Sequence, residues 1–246
     1  MALDESAGGE EIGAFFDVDG TLAASNLVDA YIDFRLRGRR ALTKGLWLLG
    51  FVPRLPFYAL VDRFSRSRFN EIFSRRYQGV SLEELRSWAE TAGKEFWSFR
   101  LYPEALREIR LHRERGHRIA LVTGGLRPMV QPLMEILEAD GCVAAEPQSR
   151  DGRLTGRLSG GALSGPAKAE ETRRLADAWG VDLARSYAYA DSSSDRDFLE
   201  CLGHPVAVNP DRRLRRLAKT RGWDTREWRR RDARRFFPVG RLLKRS

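Results

Sequence analysis

A doubly wound, Rossmann-like parallel α/β sheet carrying an inserted α-helical cap is the fold that three features of the chain predict. Short apolar runs alternate with amphipathic segments along residues 12–210. The runs end in polar turns, most of them bearing glycine or serine. The first and second runs lie about a hundred residues apart, too far for a simple crossover, so something is inserted between them. Alternation of this kind builds a parallel sheet with helices on both faces and gathers polar groups at the carboxyl ends of the strands.

Residues 12–19 form an apolar run with two phenylalanines that meets Gly20-Thr21, which reads as a buried strand entering a loop. Residues 24–100 are aromatic, arginine-rich and helix-patterned, and Ser81-Leu82-Glu83-Glu84 has the form of a helix N-terminus. Residues 103–115, 128–139 and 166–179 are amphipathic helices, each opened by proline. Residues 117–123 repeat the strand pattern and are expected to stop at Gly124-Gly125. Residues 142–159 suit a strand and a hairpin about Asp151-Gly152. Residues 186–191 are a further strand ending in an acidic, serine-rich turn, and residues 205–209 a weaker one. The expected organisation is a leader at 1–11, a core from 12–23 and 101–222, a cap at 24–100, and a basic extension at 223–246.

Composition narrows the function class. The 246 residues are 42% hydrophobic and 31% charged, ordinary for a globular chain. Two cysteines, Cys142 and Cys201, are too few for a disulfide framework or a paired-cysteine zinc site, and a reducing cytoplasmic setting is the default expectation. Residues 1–11 lack the basic start and apolar stretch of a secretory signal and read as disordered. The net charge of +9 is uneven, because residues 211–246 carry 15 Lys+Arg against 4 Asp+Glu.

Asp17-Val18-Asp19-Gly20-Thr21 carries the clearest chemistry. Residues two apart on a strand point the same way, so two carboxylates leave one strand end together and can divide the work of nucleophile and general acid/base. Thr123-Gly124-Gly125 offers a hydroxyl and free amides at a second strand end, a small anion nest. Lys168 is one of five lysines in a chain with 38 arginines and lies in the first turn of a helix, where a compact point charge suits a phosphate. Asp191 and Asp195 add hard oxygen ligands that suit magnesium. The three histidines, His112, His117 and His204, lie outside these motifs and read as structural.

In this order the four motifs resemble the haloacid dehalogenase superfamily of aspartate-nucleophile phosphatases, in particular its phosphoserine phosphatase-like branch, subfamily IB. The resemblance implies a phosphatase core, an aspartyl-phosphate intermediate on Asp17, and proton transfer by Asp19. By it Thr123, the Gly124 amide and Lys168 hold the phosphoryl oxygens. Mg2+ would bind Asp17, the Asp19 carbonyl, Asp191 and Asp195. The implied substrate is a small or amphiphilic organic phosphomonoester.

Two departures bear on that substrate. Asn26 stands where phosphoserine phosphatases carry an acid for the substrate amino group, and Ser192 and Ser194 stand where glycine and asparagine are common. In the cap, Trp47, Phe51, Phe57, Tyr58 and Phe64 mix with Arg54, Arg63, Arg66 and Arg68, which suits a packed small core, amphiphilic phosphates or an anionic bilayer surface. Arg68, Arg75 and Arg76 are candidates for the leaving group. The basic C-terminus, with Trp228-Arg229-Arg230-Arg231, suits a solvated end or a peripheral contact with an anionic membrane; nothing resembles a base-reading module, so no specific nucleic-acid partner is expected. The alternatives to a phosphatase of soluble esters are a lipid-phosphate phosphatase at the membrane surface and a noncatalytic anionic-surface-binding protein with the same fold.

Overall fold

Phe15 and Phe16 set the middle of the structure. They are neighbours on strand β1 (Gly13–Asp17), both fully buried, and enter separate apolar clusters on the two sides of the sheet. Successive strand side chains point to opposite faces, so a strand covered on both sides must be apolar throughout, as β1 is. The computed structural model describes residues 11–229. The leader at 1–10 and the arginine-rich stretch at 230–246 lie outside the described residues.

After β1 the chain enters the insertion through helices α1 (Leu27–Leu36), α2 (Ala41–Phe51), α3 (Leu55–Phe64), α4 (Arg66–Ser74), α5 (Leu82–Trp88) and α6 (Lys94–Ser98). Ser81 and Glu84 form the reciprocal capping box that the sequence predicts at the start of α5. Helix α7 (Pro103–Glu114) leads to strand β2 (Arg118–Leu126), followed by α8 (Arg127–Leu137), β3 (Gly141–Arg150) and β4 (Arg153–Ser159). Then come α9 (Pro166–Trp179), β5 (Tyr187–Ala190), α10 (Arg196–Glu200), β6 (His204–Val208), α11 (Arg212–Arg221) and β7 (Asp224–Arg226). The seven strands run in the order β4-β3-β2-β1-β5-β6-β7, parallel except for the β3–β4 hairpin. Strand order reverses between β1 and β5, and such a switch point opens a crevice at the strands' carboxyl ends.

Three expectations are corrected. Strand β2 does not stop at Gly124-Gly125 but runs on to Leu126, with its pairing to β3 interrupted between Val122 and Leu126. Glycine there lets the strand bulge without ending it. The core does not end at residue 222: β7 pairs with β6, and the following Trp228 buries its ring against Tyr189 and Tyr102. A free sheet edge and a large apolar ring recruit the first residues of the basic segment. Glu11, assigned to the leader, bridges Val181.

The insertion is packed directly onto the sheet. Phe69, Phe73, Tyr77, Trp88, Phe96 and Trp97 lie in the same buried cluster as Phe16, Ile119 and Leu121. Trp97 Nε1 donates to the Met129 carbonyl at 2.9 Å, and Ser74 Oγ to the Gly156 carbonyl at 2.8 Å. The β3–β4 hairpin is a second anchor, through Gly79 N to the Leu154 carbonyl and Leu82 N to the Gly152 carbonyl.

Candidate active site

The carboxyl end of β1 places Asp17, the turn after it places Asp19, and the end of β5 places Asp191. Gly20 makes this arrangement possible. Its φ is +85°, and a Cβ there would stand 2.1 Å from Asp191 Oδ2, so only glycine lets the turn approach that carboxylate. Lys168, in the first turn of α9, brings Nζ to 2.6 Å from Asp17 Oδ1 and 2.8 Å from Asp195 Oδ1, with all three side chains buried. Thr21 Oγ1 donates to Asp17 Oδ2 at 2.9 Å, so both oxygens of Asp17 are held. Carboxylate oxygens of Asp17, Asp191 and Asp195 all lie within 4.8 Å of one another.

Burial raises the pKa of Asp17 most strongly; Lys168 opposes this, the neighbouring Asp195 and Asp191 add to it, and the result is about 7. Asp19 is raised as well, chiefly by burial, against a hydrogen bond from Ser25 Oγ to its Oδ1 at 2.9 Å and the nearby Arg66. Burial pulls the Lys168 pKa down, yet Asp17 and Asp195 outweigh it and hold the ammonium charged. A crowded set of acids around one lysine raises a carboxyl pKa toward neutrality and carries more negative charge than the lysine can balance. Hard oxygen donors at this spacing fit a divalent cation such as Mg2+.

Thr123 is buried near the end of β2, and its Oγ1 accepts from Gly125 N at 3.0 Å, which leaves its hydroxyl proton to donate elsewhere. Gly124 is crowded from the insertion side: a Cβ there would meet Asn70 Nδ2 at 2.5 Å and the Leu163 carbonyl at 3.0 Å. Asn70, on α4, lines a narrow cavity together with Asp19, Gly124, Gly125, Phe73, Trp97 and Met129. Asp19 is the one charged side chain in that lining.

These positions form a two-carboxylate strand end, a lysine from a helix N-terminus and an acidic loop around one crevice. A family model for haloacid dehalogenase-like hydrolases matches residues 14–200. The chain belongs to that family. Among relatives of this haloacid dehalogenase-like hydrolase is "Phosphoserine phosphatase SerB1" of Mycobacterium tuberculosis, 33% identical over 222 residues, 88% of this chain and 70% of that one. The "Inhibition of morphological differentiation protein" of Streptomyces azureus is 32% identical over 211 residues, 85% of this chain and 76% of that one. A solved "Phospho-Aspartyl Intermediate Analogue of Phosphoserine phosphatase" shares the fold with a TM-score of 0.64 at 20% identity, covering 90% of this chain and 95% of that one. The hydrolase is of the phosphoserine phosphatase-like kind, a phosphoric monoester hydrolase.

Asp211, Ser25 and Asn70 complete the site of this hydrolase without a motif to announce them, beside the serines of the acidic turn. Asp211 accepts from Ser193 N at 2.8 Å while capping α11 through Arg213 N and Leu214 N, and its own amide donates to the Asp191 carbonyl, so it fixes the acidic loop. Ser192 and Ser194 pair their hydroxyls at 3.0 Å inside the same turn. Ser25 orients Asp19, and Asn70 covers Gly124. Arg66 pairs with Asp62 at 3.1 Å; burial pulls its pKa down, but Asp62 and, after it, Asp191, Asp195 and Asp17 outweigh this and hold it charged. The leaving-group candidates fare differently. Arg68 and Arg75 are exposed, and Arg76 donates to Tyr58 OH at 2.6 Å within the aromatic packing of the insertion. Asn26 is the N-cap of α1, its Oδ1 accepting from Asp29 N at 3.0 Å.

The histidines belong to a separate network. His112 meets His117 at 2.8 Å and Tyr189 OH at 2.7 Å; Tyr189 donates to Glu108, which Arg226 also binds. His204 stacks on Tyr187.

Proposed function

We propose that this hydrolase is a Mg2+-dependent phosphatase that forms an aspartyl-phosphate on Asp17 and prefers phosphomonoesters with an apolar or amphiphilic leaving group. The observation that carries the reading is the pairing of Asp17 with Lys168 and Asp195 in a buried cluster beside a protonatable Asp19.

Residues 24–100 act as the cap that closes over the ester. Asp17 Oδ attacks phosphorus in line, with Thr21 and Lys168 holding the carboxylate in place. As the phosphorus–oxygen bond to the leaving group breaks, Asp19 gives its proton to the departing alkoxide. Asp19 then takes a proton from a water molecule, which attacks phosphorus and frees inorganic phosphate and the Asp17 carboxylate. The raised pKa of Asp19 suits both halves, since the group must be acid first and base second. Thr123, the Gly124 amide and Lys168 bind the phosphoryl oxygens and offset their charge as the nucleophile approaches. Asp17, the Asp19 carbonyl, Asp191 and Asp195 would hold the divalent cation, which supplies electrostatic stabilisation of the transferring phosphoryl group.

Support for an apolar leaving group comes from the cavity beyond Asp19, where Phe73, Trp97 and Met129 offer no counter-charge for an amino-acid head. The test is phosphate release from phosphoserine, phosphoethanolamine, lysophosphatidate and p-nitrophenyl phosphate, with Mg2+ or chelator, beside Asp17→Asn. Mg2+-dependent release, abolished in the variant while its circular dichroism is unchanged, is expected. Release by Asp17→Asn at the parent rate would remove the nucleophile assignment.

A further inference from the structure

The insertion carries an apolar surface that neither the catalytic crevice nor the packing onto the sheet explains. On α2, Leu42, Leu46 and Leu49 recur at intervals of four and three residues, which puts them on one helix face, and they are 76%, 63% and 75% exposed. On α3, Phe57, Leu60 and Phe64 recur at three and four, with exposures of 53%, 53% and 80%. Val52, in the short turn between these helices, is exposed too. The opposite sides of the same helices do the ordinary work of packing, with Phe51 on Trp47 and Tyr31, and Tyr58 on Phe69 and Phe73. Both helices are therefore apolar on two sides. A helix wetted on one face has no use for a stripe of leucine and phenylalanine there, and contiguous exposed apolar residues mark a surface that meets something.

Charge identifies what it meets. Between Asp33 and Asp62 the chain carries Arg35, Arg39, Arg40, Lys44 and Arg54, besides an Arg37 that pairs with Asp33 and Glu95, and no acidic residue. A second copy of this chain would oppose like charge to like charge across a symmetric contact. Residues 230–246 are also basic, with 7 Lys+Arg against 1 Asp, so they do not complement the surface either. Leucine and phenylalanine bordered by arginine and lysine match the boundary of a bilayer with anionic headgroups, apolar atoms entering the acyl region and cations staying at the phosphates. No described helix is long and apolar enough to cross a membrane, so the contact is at the surface.

We propose that the exposed faces of α2 and α3 dock this protein onto anionic lipid bilayers. None of these side chains lines the cavity beside Asp19, so the test does not depend on the phosphatase assignment.

The full chain is mixed with vesicles of phosphatidylglycerol in phosphatidylcholine, or of phosphatidylcholine alone, and bound protein is read by flotation. Co-flotation with the anionic vesicles that weakens as salt is added is expected, with little on the neutral ones. Leu42→Ser/Leu46→Ser/Leu49→Ser and, separately, Phe57→Ser/Phe64→Ser are each expected to weaken vesicle binding by at least about ten-fold, as apolar insertion is lost. Because these side chains are exposed, both variants should keep the parent's circular dichroism and its turnover of p-nitrophenyl phosphate. Undiminished binding by both variants would assign the lipid contact to the basic C-terminus and overturn the proposal. So would absence of binding by the parent, or a parent that dimerises through this face by light scattering while ignoring vesicles.

Discussion

Lys168→Met is the substitution whose consequences the structure fixes most fully. It keeps the length and apolar stem of the side chain but removes an ammonium lying 2.6 Å from Asp17 and 2.8 Å from Asp195, where all three groups are buried. Removing one partner of a buried ionic cluster costs about 3–5 kcal/mol, because the remaining charges stay desolvated. For a chain of this size that corresponds to a fall in melting temperature of roughly 10 °C. The cost depends on pH in a definite direction. Lys168 has a folded pKa above its unfolded value of 10.5, so its own stabilisation is complete throughout the neutral and acid range. Asp17 carries the pH dependence. Asp17 already titrates near 7 with the lysine present, and losing the cation moves it higher. A carboxyl whose folded pKa exceeds its unfolded value loses stability as pH rises between the two. The gap between parent and variant should therefore be largest near pH 8 and shrink toward about pH 5, where Asp17 is protonated in both. Thermal unfolding followed by circular dichroism, in chelator, measures both. Adding Asp195→Asn to the variant should restore part of the loss. Equal melting temperatures near pH 8, or a gap that ignores pH, would refute the cluster as described. Turnover should vanish in Lys168→Met, and Lys168→Arg should not restore it, since a guanidinium fork does not fit the space of a compact ammonium between two carboxylates.

Gly20→Ala should lower turnover by at least about a hundred-fold and weaken Mg2+ activation, since the left-handed backbone costs roughly 1–2 kcal/mol and the methyl displaces Asp191; kinetics against Mg2+ concentration read it. His112, buried and held to about 3, keeps its stabilisation above its unfolded pKa of 6.5 and loses it as pH falls, by about 1 kcal/mol near pH 5.5. Urea unfolding of parent and His112→Gln across that range isolates the effect from the opposing contribution of Asp17, and parallel curves would refute it. Asn70→Leu should change stability by less than about 1 kcal/mol, because Asn70 Oδ1 is buried without a partner, while KM rises more than kcat falls. Phosphoserine should show kcat/KM at least about a hundred-fold below that of an apolar ester, since the cavity offers its ammonium no acid but Asp19, which must give its proton to the leaving oxygen.

What could be read in the chain follows from how local each signal is. Asp17 and Asp19 announce themselves because a strand end with two acids and a glycine is complete within a few residues; Lys168 and Asp191 do so because a helix start and a strand end are equally short-range. The sheet was legible for the same reason, and its errors occur where tertiary contact outweighs the local pattern. Gly124-Gly125 looks like a stop, yet β2 continues because β3 pairs beyond the bulge. Residues 224–226 look like the start of a charged tail, yet they complete the sheet because β6 offers an open edge and Trp228 a ring to bury. The insertion is where locality fails most. Choosing among its arginines needs the rotation of α4 about its own axis and the docking of the whole insertion against β2 and β4, neither of which a spacing encodes. The phase of α4 and of the turn that follows it leaves Arg68 and Arg75 at the surface, commits Arg76 to Tyr58, pairs Arg66 with Asp62 and brings Asn70 against Gly124. The carboxylate end of the crevice is thus written in short motifs, and the wall that the insertion supplies is written in helix phase. A second protein could keep every motif of the first end and, by shifting α4 one residue in register, present an entirely different wall to its substrate.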